Sequence, residues 1–243
     1  MNDIRRINRS FLFTLIALVG AVAALSFVMI AANIWIVDEN AAYVVYFVSL
    51  LAILVVVGLF KGKLDRITQL SYLIKIRAHP GDPLPIRHAK NLDDLPDHLK
   101  SLDYERYVWD LDHAVYYRVT KDEIKRLFPR YILEVVVLVS PRKNAFYLEQ
   151  VDGEIAAIQQ MILKSKRVMD RMTITQIKEI GNLDETTKEQ IKEIIFIRAN
   201  RTIISTINVG IYPAGGVAVM LYSDTYRPSL YYTRHIDEIK KII

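Results

Sequence analysis

The chain has 243 residues, of which 52% are hydrophobic and 24% are charged, with a formal net charge of +5. Because it has no cysteine, disulfides and cysteine-ligated zinc or iron–sulfur sites are excluded. The positive excess is too small and too dispersed to imply a nucleic-acid partner by itself. This length has room for a membrane segment and one domain of ordinary size.

Charged residues are segregated along the chain. Residues 1–66 hold six Lys or Arg and four Asp or Glu, and residues 67–243 hold the other 26 basic and 23 acidic residues. The uncharged run from Phe11 to Val37 is long enough to cross a hydrocarbon core of roughly 30 Å. A second uncharged run, Ala41 to Phe60, follows after a link too short for anything but an antiparallel turn. We therefore predict a transmembrane helical hairpin in residues 1–60, with spans at about 11–37 and 41–60.

Basic residues flank the two apolar runs and predict their orientation. They precede the first run and follow the second, whereas the link contains two acids and no base: Arg5, Arg6, Arg9, then Lys61, Lys63, Arg66. Since basic flanks stay in the cytoplasm, we expect a multi-pass cell-membrane protein with both termini inside. The alternative is a signal peptide cleaved near Ala23, but the apolar run continues far beyond that point.

Small residues recur at helical spacing in the first run. Ala17 and Ala21 are four residues apart, as are Gly20 and Ala24, which would allow close helix packing. Packing within the hairpin is the preferred interpretation, and self-association into a homo-oligomer is the alternative. Neither run contains an ionisable residue, so the sequence favours an anchor over a transport path.

Residues 61–85 form a basic juxtamembrane segment and a proline-rich linker. Lys61, Lys63 and Arg66 begin a helical pattern that would either extend the second helix or lie against anionic lipid headgroups. Three prolines in residues 80–85 then predict a stiff linker. The sequence therefore predicts a separate cytosolic domain over residues 86–243.

The pattern of residues 86–243 predicts an α+β domain with a mostly antiparallel sheet. Apolar spacing and turn residues give the expected elements in chain order. The first are a short helix within Asn91–Leu102, one bent or two short strands over Tyr104–Val119, and a helix capped by Thr120 and Glu123 that contains Leu127 and Phe128 and ends at Pro129. Next come a central strand Tyr131–Val139, a returning segment Ala145–Val151, a long helix marked by Ile155, Ile158, Ile162, Met169 and Met172, and a short helix Thr173–Ile180. The last are a helix that buries Ile191, Ile194 and Ile195, the strands Thr202–Tyr212, Val217–Ser223 and Ser229–Thr233, and a helix His235–Ile243.

Two acidic features are candidate sites. Asp110 and Asp112 would point the same way from a strand and could share a metal ion, although His113 would then face the opposite side. Glu134 interrupts an apolar strand, where a buried carboxylate needs a partner, but its place near the start of the strand would let it reach water.

The region before the C-terminus is rich in aromatic and basic residues. Such groups suit a nucleotide, a single-stranded nucleic acid or a phosphopeptide, although tyrosine is also a common strand residue. The candidate ligand-binding residues are Tyr222, Tyr226, Arg227, Tyr231, Arg234 and His235.

Other patterns argue against specific functions. Thr173–Ile194 has the spacing of a helix-turn-helix, but its second helix carries acids that would repel phosphate, so DNA binding is not expected. Gly215 and Gly216 precede a strand and predict a turn rather than a phosphate-binding loop.

No catalytic motif or cofactor signature is visible in the sequence. It therefore favours a non-enzymatic, membrane-anchored domain that binds a small molecule or protein. One alternative is a membrane effector whose cytosolic domain senses a ligand, oligomerises and disrupts the bilayer. Another is a membrane-tethered enzyme with an unrecognised site.

Overall fold

The computed structural model describes residues 2–88, 91–124, 130–199 and 202–243. The chain divides into two compact units, Met1–Lys75 and Ile76–Ile243. The division falls slightly before the proline-rich segment at which the sequence predicted the boundary.

The first unit consists of two long helices. Helix α1 spans Asn2–Trp35, and helix α2 begins at Glu39 and continues to Ala78. Their most apolar 18-residue windows have mean hydropathies of 2.6 and 2.7, so both helices are long and apolar enough to cross a membrane. The second helix runs without a break through the basic juxtamembrane segment, which is one of the two alternatives that the sequence left open.

The small residues of α1 that the sequence singled out differ in their exposure within the single chain. Ala17, Gly20 and Ala24 are exposed, and a methyl group on Gly20 would meet nothing within 4 Å. Ala21 is half-buried, and Thr14 and the more distant Ala32 are buried. Among the residues that the structure describes, a side chain at Gly20 would therefore have open space.

The second unit is α+β. Its helices are α3 (Leu95–Ser101), α4 (Glu149–Lys164), α5 (Glu185–Ile191) and α6 (Leu230–Ile242). Its strands are β1 (Leu84–Pro85), β2 (Glu105–Trp109), β3 (His113–Lys121), β4 (Tyr131–Val139), β5 (Met169–Glu179), β6 (Ile194–Ala199), β7 (Thr202–Tyr212) and β8 (Val217–Met220). Short 3-10 turns lie at Leu92–Asp94 and Pro213–Gly215.

The described strands form one mixed sheet in the order β1-β8-β7-β5-β4-β3-β2, with β6 also paired to β7. The pairings β4–β5 and β5–β7 are parallel, whereas the outer pairings are antiparallel. The prediction of a mostly antiparallel sheet therefore misses its parallel centre. That centre follows from α4, because a helix that crosses back over the sheet returns the chain to a parallel strand.

The two faces of the sheet differ in character. Helix α4 covers an apolar face, on which Val115, Leu133 and Val137 pack against Ile155 and Ile158. Alternate residues of the same strands point the other way, toward α6. That second face is polar in its middle, and the next subsection describes it.

The helix predicted for Thr173–Ile180 is wrong, since all of these residues except Ile180 belong to β5. Helix α4 stops at Lys164, and Lys166 adopts a left-handed conformation with φ of 60°. Met169 and Met172 therefore also lie in β5 instead of extending the helix. The alternating β-branched residues from Thr173 to Ile177 fit a pleated strand better than a helix. This correction also removes the helix-turn-helix interpretation.

Other predicted elements also differ from the structure. The helix that was expected to bury Ile194 and Ile195 ends at Ile191, and both residues lie in β6. Ser229 is the N-cap of α6, where its hydroxyl accepts from the Tyr232 backbone N–H at 3.1 Å, so no third strand forms at Ser229–Thr233. Thr120 lies within β3 rather than at a helix N-cap, and Leu127 to Pro129 fall outside the described residues. Ala145–Val151 leads into α4 instead of forming a strand.

Candidate functional site

The centre of the candidate site is Glu134 of β4, whose side chain is only 4% exposed. The β3–β4 register places it directly opposite Arg118. One carboxylate oxygen, Oε2, accepts from Arg118 Nε at 2.9 Å. The other, Oε1, accepts from Thr120 Oγ1 and from Arg234 Nη2, each at 3.0 Å. The position of Glu134 near the start of the strand had suggested that its carboxylate reaches water. The structure instead buries this carboxylate and pairs it with two guanidinium groups.

Arg118 is the residue on which the remaining contacts converge. Its Nη2 donates to Glu238 Oε2 of α6 at 2.6 Å, and its Nη1 donates to the Leu102 carbonyl at 2.8 Å. The guanidinium also lies 4.5 Å from the centre of the Tyr104 ring. Burial alone would lower the pKa of Arg118, but Tyr104 and Glu134 outweigh it and raise that pKa. Arg118 is therefore a permanent cation.

Glu238 is the more accessible carboxylate of this network, with a side chain that is 15% exposed. Burial acts to raise its pKa, but hydrogen bonds from Lys241 and Arg118 outweigh that effect and lower the pKa below the ordinary value. Its Oε1 accepts from Lys241 Nζ at 2.7 Å. Glu238 is thus shared between a half-buried guanidinium and an exposed ammonium group.

A cavity of about 560 Å³ borders this network, and we call it the α6 cavity. Four cationic and three anionic side chains line it together with Ile124 and Leu230, so its wall combines charged groups with apolar surface. The lining residues are Arg118, Thr120, Lys121, Glu123, Ile124, Leu230, Thr233, Arg234, Asp237, Glu238 and Lys241.

The structure brings only Arg234, among the six predicted ligand-binding residues, to the wall of this cavity. His235, the next residue of α6, is buried against the sheet, where its Nε2 lies 3.0 Å from Thr175 Oγ1 and its Nδ1 lies 3.2 Å from Ser205 Oγ. Burial lowers the pKa of His235 to about 3, so the ring is neutral and binds α6 to the sheet. Tyr231 donates to Asp122 Oδ2 at 2.8 Å.

The other predicted ligand residues lie elsewhere. Tyr222 is buried and donates to the Asp82 carbonyl at 2.8 Å, while Tyr226 is half-buried and Arg227 is exposed. The six residues therefore do not converge on one concave surface.

The two predicted metal ligands are separated by their partners. Asp112 pairs with Lys143 at 2.7 Å. Asp110 instead accepts from the backbone N–H groups of Asp112 and His113, both at 2.8 Å, and lies 3.1 Å from His113 Nδ1. His113 was expected on the opposite face, but these residues form a turn rather than an extended strand.

The basic residues that were predicted to lie at the membrane surface are exposed on α2: Lys61, Lys63 and Arg66.

Sequence reasoning identified Glu134 but missed Arg118, Thr120 and Glu238. Arg118 stands in an otherwise aromatic and β-branched strand, and this was the one signal that could have drawn attention to it.

Comparisons with family models, curated proteins and solved structures found no match to this chain.

Proposed function

We propose that this protein is a membrane-anchored, non-enzymatic binding protein whose α6 cavity holds a small ligand with an anionic oxygen group. The ligand would be a carboxylate or a phosphate compound, and Arg118 and Arg234 would be its main contacts. Two membrane-spanning helices would place this domain at the cytoplasmic surface.

The observation that carries the proposal is the difference between the two faces of one sheet. Helix α4 packs on an apolar face, whereas α6 covers paired charges at the level of Glu134 and Arg118. Removing such charges from water costs several kcal/mol per ion, and well-packed apolar residues are often as stable or more so. A network of this kind beside a cavity is therefore better explained by ligand binding than by stability.

The geometry favours an anionic ligand because one carboxylate of the network is replaceable. Arg118 holds Glu238 through a single terminal nitrogen, and Glu238 has Lys241 as a second partner. A ligand carboxylate or phosphate could take the place of Glu238 on Arg118 and also reach Arg234, leaving Glu134 paired. Guanidinium groups bind such oxygens with two parallel hydrogen bonds, which are among the stronger ones in proteins.

The charge pattern of the first unit supports the cytoplasmic placement. Basic residues occupy the outer ends of both apolar runs, and the link between them contains Asp38 and Glu39. By the positive-inside tendency, both termini and the ligand would be cytoplasmic.

The test is the identification of compounds that copurify with the full-length chain in detergent. The protein is denatured, and the released small molecules are measured by mass spectrometry. Thr233→Trp would fill the α6 cavity without removing a charge, and Thr186→Trp is the matched control on an exposed residue of α5 outside the cavity. We expect an anionic compound with wild type and with Thr186→Trp, reduced at least tenfold in Thr233→Trp. Equal amounts in all three proteins would contradict the proposal.

A further inference from the structure

Three side chains from separate segments meet at the end of the sheet where β4 terminates. Asp110 lies in the turn after β2, His113 is the first residue of β3, and Glu154 lies in α4. His113 Nδ1 is 3.1 Å from Asp110 Oδ1, and His113 Nε2 is 2.7 Å from Glu154 Oε2. One potential ligand atom from each residue lies within 4.8 Å of the other two.

The donors are held in place before any ion binds. The His113 side chain is fully buried, and its Nδ1 also lies 3.0 Å from the Gln150 side-chain amide nitrogen. The Asp110 carboxylate accepts from the backbone N–H groups of Asp112 and His113, both at 2.8 Å, so its position is fixed by its own turn. Such fixed second-shell contacts orient metal ligands in proteins.

The donors lie close enough together for one ion to gather them. Asp110 and Glu154 contact different nitrogens of His113, so one of the two carboxylates must turn toward the nitrogen that binds the ion. Ligands about 2.1 Å from a metal ion are at most about 4.2 Å apart, and the three donor atoms already lie within 4.8 Å of one another. The ion would take one nitrogen of His113, and the other nitrogen would keep a hydrogen bond to a neighbouring side chain. One imidazole and two carboxylates suit first-row transition ions better than Mg²⁺ or Ca²⁺, which prefer oxygen ligands alone.

The surroundings favour a cation and give it access. Glu149 and Asp152 add negative charge in the first turn of α4. Lys143 is already paired with Asp112. Gln150 and Glu149 also line an open cavity of about 400 Å³, so solvent reaches this end of the sheet. The side chains of Asp110 and Glu154 are 46% and 20% exposed, which leaves room for water ligands.

We infer that Asp110, His113 and Glu154 form a binding site for a divalent first-row transition ion, with Zn²⁺ as the representative. This site is independent of the α6 cavity, because it lies on the opposite face of the sheet and shares no residue with it. The competing interpretation is that the contacts of His113 with Asp110 and Glu154 serve only to fasten α4 to β3, without any metal.

The experiment is a Zn²⁺ titration of the untagged full-length chain in detergent, after treatment with a chelator and its removal, followed by calorimetry. Co²⁺ is then added as a spectroscopic probe, because visible absorption reports ligation by the protein. Glu154→Gln removes one ligand at a partly exposed position, and Asp112→Asn is the matched control, since Asp112 lies beside the site but pairs with Lys143.

We expect one Zn²⁺ site in wild type and Asp112→Asn, and at least tenfold weaker binding at that site in Glu154→Gln. Thermal unfolding should shift upward with Zn²⁺ in the first two proteins only. If wild type binds no Zn²⁺, or if Glu154→Gln binds it as tightly as wild type does, the metal site is refuted. Circular dichroism of each variant verifies that a loss of binding does not reflect loss of the fold.

Discussion

Acidification should destabilise the second unit through His235. Burial lowers the pKa of this histidine to about 3, against an unfolded value of about 6.5. The unfolded chain therefore binds a proton below pH 6.5 that the folded chain does not, so stability is complete above 6.5 and falls as the pH falls. Only Glu238 opposes this shift, since its negative charge acts to raise the pKa of His235.

The magnitude follows from proton linkage. One group with this difference lowers the free energy of unfolding by about 1.4 kcal/mol per pH unit between the two pKa values. Between pH 8 and pH 5 the loss is about 2 kcal/mol, while ordinary carboxyl groups are still ionised. The result at pH 5 is therefore diagnostic of histidine.

The assay is urea unfolding of the full-length chain in detergent at a series of pH values. Trp35→Phe leaves Trp109, in β2, as the sole tryptophan reporter of the second unit. His235→Gln should flatten the pH dependence by about 2 kcal/mol, whereas His88→Gln, at an exposed position, should leave it unchanged. A pH profile that His235→Gln does not alter would refute the reasoning, because the histidine would then already be accessible to protons.

Two further predictions concern packing and topology. Gly81→Ala should lower the free energy of unfolding by about 1–3 kcal/mol, because a methyl group there would overlap the Tyr222 ring, whereas Gly153→Ala in α4 has open space and should raise it by about 0.5–1 kcal/mol. Urea unfolding measures both, and equal effects would contradict the packing argument. Because the chain has no native cysteine, Asn40→Cys should react with an impermeant maleimide on intact cells, and Lys164→Cys only after permeabilisation. The reverse pattern would overturn the proposed orientation.

Some of the fold was predictable because local chemistry decides it. Tyr131–Val139, which is apolar except for Glu134, predicted β4 with the observed bounds, and the alternating apolar residues of Thr202–Tyr212 predicted β7. The turn after β7 was also predicted, and Gly216 there has a φ of 63°, which glycine adopts at little cost.

Other elements depend on tertiary context. Amphipathic spacing continued from Ile155 to Met172, but the turn at Lys166 divides this pattern between a helix and a strand. Ser229 is equally compatible with a strand and with a helix cap. Its role was decided by the packing of α6 on the sheet, where the buried residues of that helix include His235 and Ile239.

The candidate site required information that no local pattern contains. Glu134 drew attention because it is a carboxylate in an apolar strand. Its partners became evident only from the β3–β4 register, which places Arg118 opposite it, and from the position of α6, which adds Arg234 and Glu238. Likewise, an extended chain would separate Asp110 from His113, and the turn between them brings these side chains together.

The central claim is that the α6 cavity holds an anionic ligand, and the most direct measurement is an experimental structure of the full-length chain purified without added ligand. We expect density for a carboxylate or phosphate compound within hydrogen-bonding distance of the terminal nitrogens of Arg118 and Arg234, with Glu238 displaced from Arg118. A copurified compound bound elsewhere, or a cavity that contains only water while the Arg118–Glu238 contact stays intact, would contradict the account.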